Sequence, residues 1–323
     1  MKFDGFSEIS INSNNSIQEV YIMKLMETVP NFSEGRRVEV VEEIVNIVNG
    51  FDDVWKLDHS MDKDHNRSVV TLVGKPETLM LCLFEMVKKA SELIDLRVHK
   101  GEHPRMGATD VIPLVPIKDV DMKDCISYSK HLAKRIGDEL HIPVYLYEMS
   151  ATQQNRKNLS NIRRGEFEGF FEKIKLPEWE PDYGPKMVHP TAGVTAVGAR
   201  EFLIAYNVNL ATSDIEIANK IARAVRHING GFRYVKAMGV ELKERGIVQV
   251  SMNLTNFKKT PIFRVFEVIK RESARYGVNI VGSELIGLIP QKALVDVADF
   301  YLQMENLEPS KIIENEIMEV MEE

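Results

Sequence analysis

The sequence predicts an α/β (α+β) protein of two ferredoxin-like subdomains, each a mixed sheet covered by helices, with a ligand cleft between them. Three observations carry that prediction. Apolar residues recur at helical spacing in some segments and as short buried runs in others, and these alternate in the order β-α-β-β-α-β twice. The segment between Pro177 and Pro190 holds four prolines and no periodic stripe. The 323 residues favour two domains at roughly 100–200 residues each.

The elements follow in chain order. Residues 1–22 are rich in Ser, Asn and Ile without clean periodicity and read as an extension that carries no chemistry. An apolar run ends at Val29-Pro30. A helix follows through Val41, Ile44, Val45 and Val48, closed by Gly50. Strands are expected at Val54–Asp58 and Ser68–Val73. Pro76 then suits the first turn of a helix with Leu79, Leu83, Met86, Val87, Ala90 and Ile94 along one side. A buried strand at Val111–Ile117, an amphipathic helix over 121–140 and a strand at Val144–Tyr147 complete the first half, residues 23–180.

The second half, 181–323, opens with a strand at Phe202–Leu210. Ser213 and Asp214 offer N-cap oxygens to a helix carrying Ile217, Ile221 and Val225. Strands at Val235–Leu242 and Ile247–Leu254 precede a helix capped by Thr260, with Pro261 in its first turn. Asn279–Val281 and Leu285–Ile289 are strand candidates, and Gln291–Gln303 is a last packed helix. Tyr183, Phe202 and Tyr206, near the proline-rich hinge, are expected in the core.

Charge and composition exclude several classes of function. A net charge of −7 argues against a chain devoted to neutralising phosphates, and no RNP-type aromatic motif is present. Nucleic acid is therefore not expected as a partner. No apolar run reaches the ~18 residues of a membrane span, and the N-terminus lacks a signal-peptide h-region. Cys82 and Cys125 cannot form a disulfide framework, which fits a cytoplasmic protein.

Three familiar signatures fail. The run from Asp62 to Asn66 opens like a calcium loop, but Arg67 and Val73 stand where Gly and Glu are needed. Gly193 to Gly198 has P-loop glycine spacing, yet Ala199-Arg200 replaces Lys-Ser/Thr. His99 and His103 are four apart, but Gly101 and Pro104 forbid the helix that would bring them to one metal, so no metal site is expected.

The loop from His99 to Asp110 (HKGEHPRMGATD) remains, and it runs into a buried strand with more polar chemistry than a connector needs. An imidazole of ordinary pKa ~6.5 can take and give a proton near neutrality, so His103 is the candidate acid–base group, with Glu102 or Asp110 to fix its tautomer. Arg67, Arg36 or Lys100 would hold an anionic substrate.

Five separated segments then resemble one family: Val29 to Arg36, Asp64 to Val69, His99 to Ala108, the run HPTAGVTAVGAREFLIAYNVNL from His189, and Gly282 to Pro290. The match covers about residues 27–305 and is to the glutamate formimidoyltransferases. The resemblance implies transfer of a formimidoyl group from N-formimidoyl-L-glutamate to N5 of tetrahydrofolate in histidine degradation. Tetrahydrofolate would be a co-substrate, no metal would be needed, and the chain would be a homodimer.

The resemblance places the catalytic histidine at His103. It places folate binding at the stretch Gly184, Pro185, Lys186, Met187, Val188, His189, Pro190, Thr191, Ala192 and Gly193. With that chemistry, Asp110 and Glu102 would orient His103, Arg67 and Arg105 would take substrate carboxylates, and Lys100 would take the folate glutamate tail. The first 22 residues have no counterpart in the family. The cyclodeaminase domain of the animal enzymes is also missing, so a separate protein is expected to perform that step. Formyl transfer from a formyl donor, and folate binding without turnover, are the alternatives.

Overall fold

A computed structural model describes residues 24–322; the expected extension over residues 1–22 lies outside the described residues. The first unit begins with β1 (Leu25–Thr28) and β2 (Asn31–Phe32), one strand path interrupted at Val29-Pro30. Helix α1 (Val38–Val45) runs into a 3-10 turn ending at Gly50 and buries Val41, Ile44, Val45 and Val48, as their spacing predicts. Strands β3 (Val54–Asp62) and β4 (Arg67–Gly74) form a hairpin longer than the apolar runs suggest. Helix α2 (Pro76–Leu93) has its proline in the first turn, and β5 (Thr109–Lys118) follows the His99–Asp110 loop.

These elements make a β-α-β-β-α-β unit with strand order β3-β4-β1-β5, all neighbours antiparallel. Helix α3 (Met122–Glu139), started by a reciprocal Asp121–Asp124 capping box, leads to β6 (Val144–Glu148). Two short helices, α4 (Leu159–Arg163) and α5 (Glu166–Lys173), precede the proline-rich segment.

The chain does not leave the first unit at that segment. Strand β7 (Thr195–Ala199) returns to lie parallel between β5 and β6, giving a seven-stranded mixed sheet. Val188, Ala192, Val194, Val197 and Ala199 belong to its core. The expected division between residues 180 and 181 is thus corrected, because the prolines end periodicity but say nothing about a strand pairing that is remote in sequence. The segment with P-loop spacing is this buried strand.

The second unit is β8 (Ile204–Leu210), α6 (Ile215–Val225), β9 (Val235–Leu242), β10 (Ile247–Leu254), α7 (Ile262–Arg275) and β11 (Ile280–Ile286). Its order, β11-β8-β10-β9, is wholly antiparallel where a mixed sheet was expected. Each helical crossover skips one strand position, so parallel strands are never adjacent. The two apolar runs near 279–289 are one strand with a register shift between Ile280 and Gly282. Asp214 caps α6 through the Glu216 amide, whereas α7 begins one residue later than expected, with Pro261 outside it. Helix α8 (Gln291–Leu302) packs on α7, and α9 (Ile313–Glu322) closes the described chain. Phe202 and Tyr206 pack on the second core, and Tyr183 on the first.

Among the described residues no helix is long and apolar enough to cross a membrane. In the first unit the helices cover one face of the sheet. Even-numbered residues Met26, Val70, Leu72, Ile112 and Leu114 enter the core on that side. Odd-numbered Glu27, Val29, Asn31, Arg67, Val69, Thr71, Val111 and Pro113 turn to the other face, where they form the floor of a cavity roofed by the second unit.

Candidate functional site

Three loops meet at the tip of the β3–β4 hairpin, and Asn66 ties them together. Its backbone is left-handed (φ 47°), a conformation asparagine tolerates. Its side chain accepts from the Gly35 amide at 2.9 Å and donates to the Lys100 carbonyl at 3.0 Å. Its own carbonyl accepts from His99 Nε2 at 2.8 Å. Gly35 and Gly101 are needed by close approach: a Cβ would run into the Asp62 carbonyl at the first and the His65 carbonyl at the second. Asp62 closes the hairpin tip by accepting from the amides of Asp64 and His65, and its other oxygen pairs with His65 Nδ1 at 2.7 Å.

His103 is half-buried against this frame. Its Nε2 lies 3.0 Å from Arg67 Nη1. A guanidinium only donates, so Nε2 accepts and the ring is neutral. The His65 ring stands edge-on at 6.3 Å. Burial, then the charges of Arg67 and Arg163, push the His103 pKa down to about 3. In this state its lone pair is occupied and it is a weak base.

Arg163 comes from α4 and binds Asp110, with Nε 2.7 Å and Nη2 2.5 Å from Oδ2. Arg67 and Arg163 both line one cavity, which His103 itself does not line but meets through its contact with Arg67. That cavity measures about 1090 Å³ and lies between the two units. Six cationic side chains line it: Arg67, Arg163, Arg200, Arg226, Arg233 and Lys236. Glu27, Asp58 and Glu148 are the acids. A cationic cleft in a chain of net charge −7 is complementary to an anionic ligand.

Family models for the formiminotransferase domain match this chain in order, the N-terminal subdomain over residues 25–200 and the following domain over 205–321. Glutamate formimidoyltransferase of Streptococcus pyogenes serotype M1 is 53% identical over 296 residues, 91% of this chain and 99% of its own. The enzyme of that name from Thermoplasma acidophilum is 48% identical over 297 residues, 91% of this chain and 98% of its own. The chain belongs to the formiminotransferase family. Formimidoyltransferase-cyclodeaminase of Rattus norvegicus is 42% identical over 290 residues, which are 88% of this chain but 53% of that protein.

Within this formiminotransferase, the structure brings His103 and Arg67 together and separates most of the other expected residues from them. Asp110 holds Arg163 and the Met106 amide (2.8 Å) instead of the imidazole. Glu102 is exposed, with its amide donating to the Asp64 carbonyl. Arg105 is committed to Glu166 and Glu168 at 2.7–3.0 Å and to His99, so it is not placed for a substrate carboxylate. Lys100 is exposed and does not line the cavity, and Arg36 donates to the Lys63 carbonyl. His99 is engaged at both ring nitrogens, away from any site shared with His103.

No residue from Gly184 to Gly193 lines the cavity. The stretch packs behind the His103 loop: Ala192 accepts from the Ala108 amide, Thr191 accepts from Leu96, and Val194 donates to Met106. His189 Nδ1 accepts from the Ala192 amide at 3.0 Å and holds this turn. Gly184 (φ 85°) abuts Gly137, and Lys186 pairs with Glu180. Pro185, Met187 and Pro190 lie outside the cavity with them, and only Val188 enters the core beside Ala192.

Sequence reasoning missed Arg163, Asp62, His65 and Glu27 as members of the site. The Asp62–His65 spacing was visible only within the failed calcium-loop signature. Arg163 lies some 60 residues from His103, on a helix of five residues whose local sequence carries no signal of the approach.

Proposed function

We propose that this chain transfers the formimidoyl group of N-formimidoyl-L-glutamate to N5 of tetrahydrofolate, yielding 5-formimidoyltetrahydrofolate and L-glutamate in histidine degradation. The observation that carries this reading is the neutral imidazole of His103 held by Arg67, a side chain that with Arg163 lines a cationic cleft. The donor brings two carboxylates, which Arg67 and Arg163 are placed to take. Drawing Arg67 onto a carboxylate releases Nε2 and screens the two charges that depress its basicity. His103 then accepts the proton that N5 loses on attacking the formimidoyl carbon. The same imidazole returns a proton to the glutamate nitrogen as the tetrahedral adduct collapses, help worth about 10²–10⁴-fold in rate.

Glutamate release from N-formimidoyl-L-glutamate, measured against N-formyl-L-glutamate and with a folate titration, tests the reading. Wild type should prefer the formimidoyl donor, and His103→Ala should bind folate while losing 10²-fold or more of turnover. Near-normal turnover in that variant would remove the assignment. The contribution of Gly184 to Gly193 to folate binding is proposed to run through the loop it supports. His189→Ala should accordingly raise the KM for tetrahydrofolate more than it lowers kcat.

A second copy of the chain is the proposed partner. Exposed apolar side chains on the second unit, Met238 (60%) and Val281 (53%) among them, support that reading, and sedimentation would reveal the dimer. Residence in the cytosol is supported by two free, buried cysteines.

A further inference from the structure

Glu27 is an acid that nothing in the proposed proton transfers uses. It lies on the cavity floor, is 5% exposed, and has no hydrogen-bond partner among the described residues. Its oxygens open onto the cavity and not into the core, so a ligand bound there can supply the donors that the protein does not. Its pairing partner on β4 is Val73, and Asn31, which accepts from Arg67, pairs with Val69. Four strand positions separate the two rows, about 13 Å at the usual rise. The floor between them is Val29, Val69, Thr71, Val111 and Pro113, apolar but for the Thr71 hydroxyl.

We propose that Glu27 recognises the pterin ring of tetrahydrofolate, its carboxylate accepting from the 2-amino group and N3–H while the ring lies on the apolar floor with N5 toward His103. This rests on the folate reading above and adds the orientation of the ring. The two parallel donors of that edge match a carboxylate as a guanidinium does. The span between the two ends is one that a bicyclic ring with a hydrogen bond at each end fills. Burial, opposed only by Arg200, lifts the Glu27 pKa to about 7, as befits a carboxylate whose partner arrives with the ligand.

Glu27→Gln, which keeps the shape but turns one acceptor into a donor facing the pterin donors, tests this in the intact enzyme. The KM for tetrahydrofolate and the Kd for 5-formyltetrahydrofolate should rise 10- to 100-fold, with the KM for N-formimidoyl-L-glutamate within twofold of wild type. Binding of p-aminobenzoyl-L-glutamate, which has the tail but no pterin, should be unchanged. Folate constants within twofold of wild type would overturn the proposal, and so would equal losses for all three ligands, which would mark Glu27 as structural. If wild type neither binds folate nor releases glutamate, the functional reading itself fails, a result distinct from either of these.

Discussion

Single side chains at this site are governed by what burial does to their charge. Glu27 shows the sign most clearly. Its carboxyl is raised from 4.5 to about 7 in the folded chain, so the native state disfavours ionisation. Below the unfolded value both states are protonated and nothing is lost. Between pH 4.5 and 7 the penalty grows, and above 7 it is complete at up to about 3 kcal/mol. Glu27→Gln should therefore be more stable than wild type in urea at pH 8, by about 1–3 kcal/mol, with the difference closing toward pH 4.5. A constant difference across that range would contradict the buried, unpaired carboxyl. The variant that binds folate worse should thus fold better, as expected where stability is given up for binding.

At the scale of elements, the hairpin tip, the Gly35 turn and the His103 loop act as one piece because backbone touches backbone. Gly101 is where this is least forgiving, since its missing side chain lets the loop lie on the His65 carbonyl. Gly101→Ala should lower stability by about 1–3 kcal/mol, as overpacking does, and should lower kcat by displacing His103 from Arg67. Thermal unfolding and steady-state kinetics together check this; full activity would show that the loop tolerates the displacement. The segments around Gly35, Asn66 and Gly101 were legible as separate motifs. Their meeting was not, because each glycine's reason lies in a neighbour some 30 residues away. The expected acid partners of His103 failed for a related cause. Proximity in sequence put Glu102 and Asp110 beside it, yet the strand direction at β5 sends Asp110 to Arg163.

Across the whole molecule, charge is segregated: an acidic chain lines its inter-unit cleft with six cations against three acids. Attraction of an anionic donor into such a cleft is screened as the Debye length falls from about 10 Å at 0.1 M salt to about 3 Å at 1 M. The KM for N-formimidoyl-L-glutamate should rise several-fold between 0.05 and 0.5 M KCl, with kcat changing less than twofold. A KM independent of salt would mean that the lining charges are not felt by the substrate.

By itself, the sequence determined the β-α-β-β-α-β order within each unit, the faces those elements bury, and the chemistry concentrated between His99 and Asp110. All of these depend on spacing within a dozen residues. Only the tertiary structure decided that β7 returns to the first sheet, that Arg105 is spent on Glu166 and Glu168, and that Arg67 holds the His103 imidazole while lining one cleft with Arg163. Those outcomes depend on pairings between remote segments. Local periodicity carries no record of which remote group a side chain will meet.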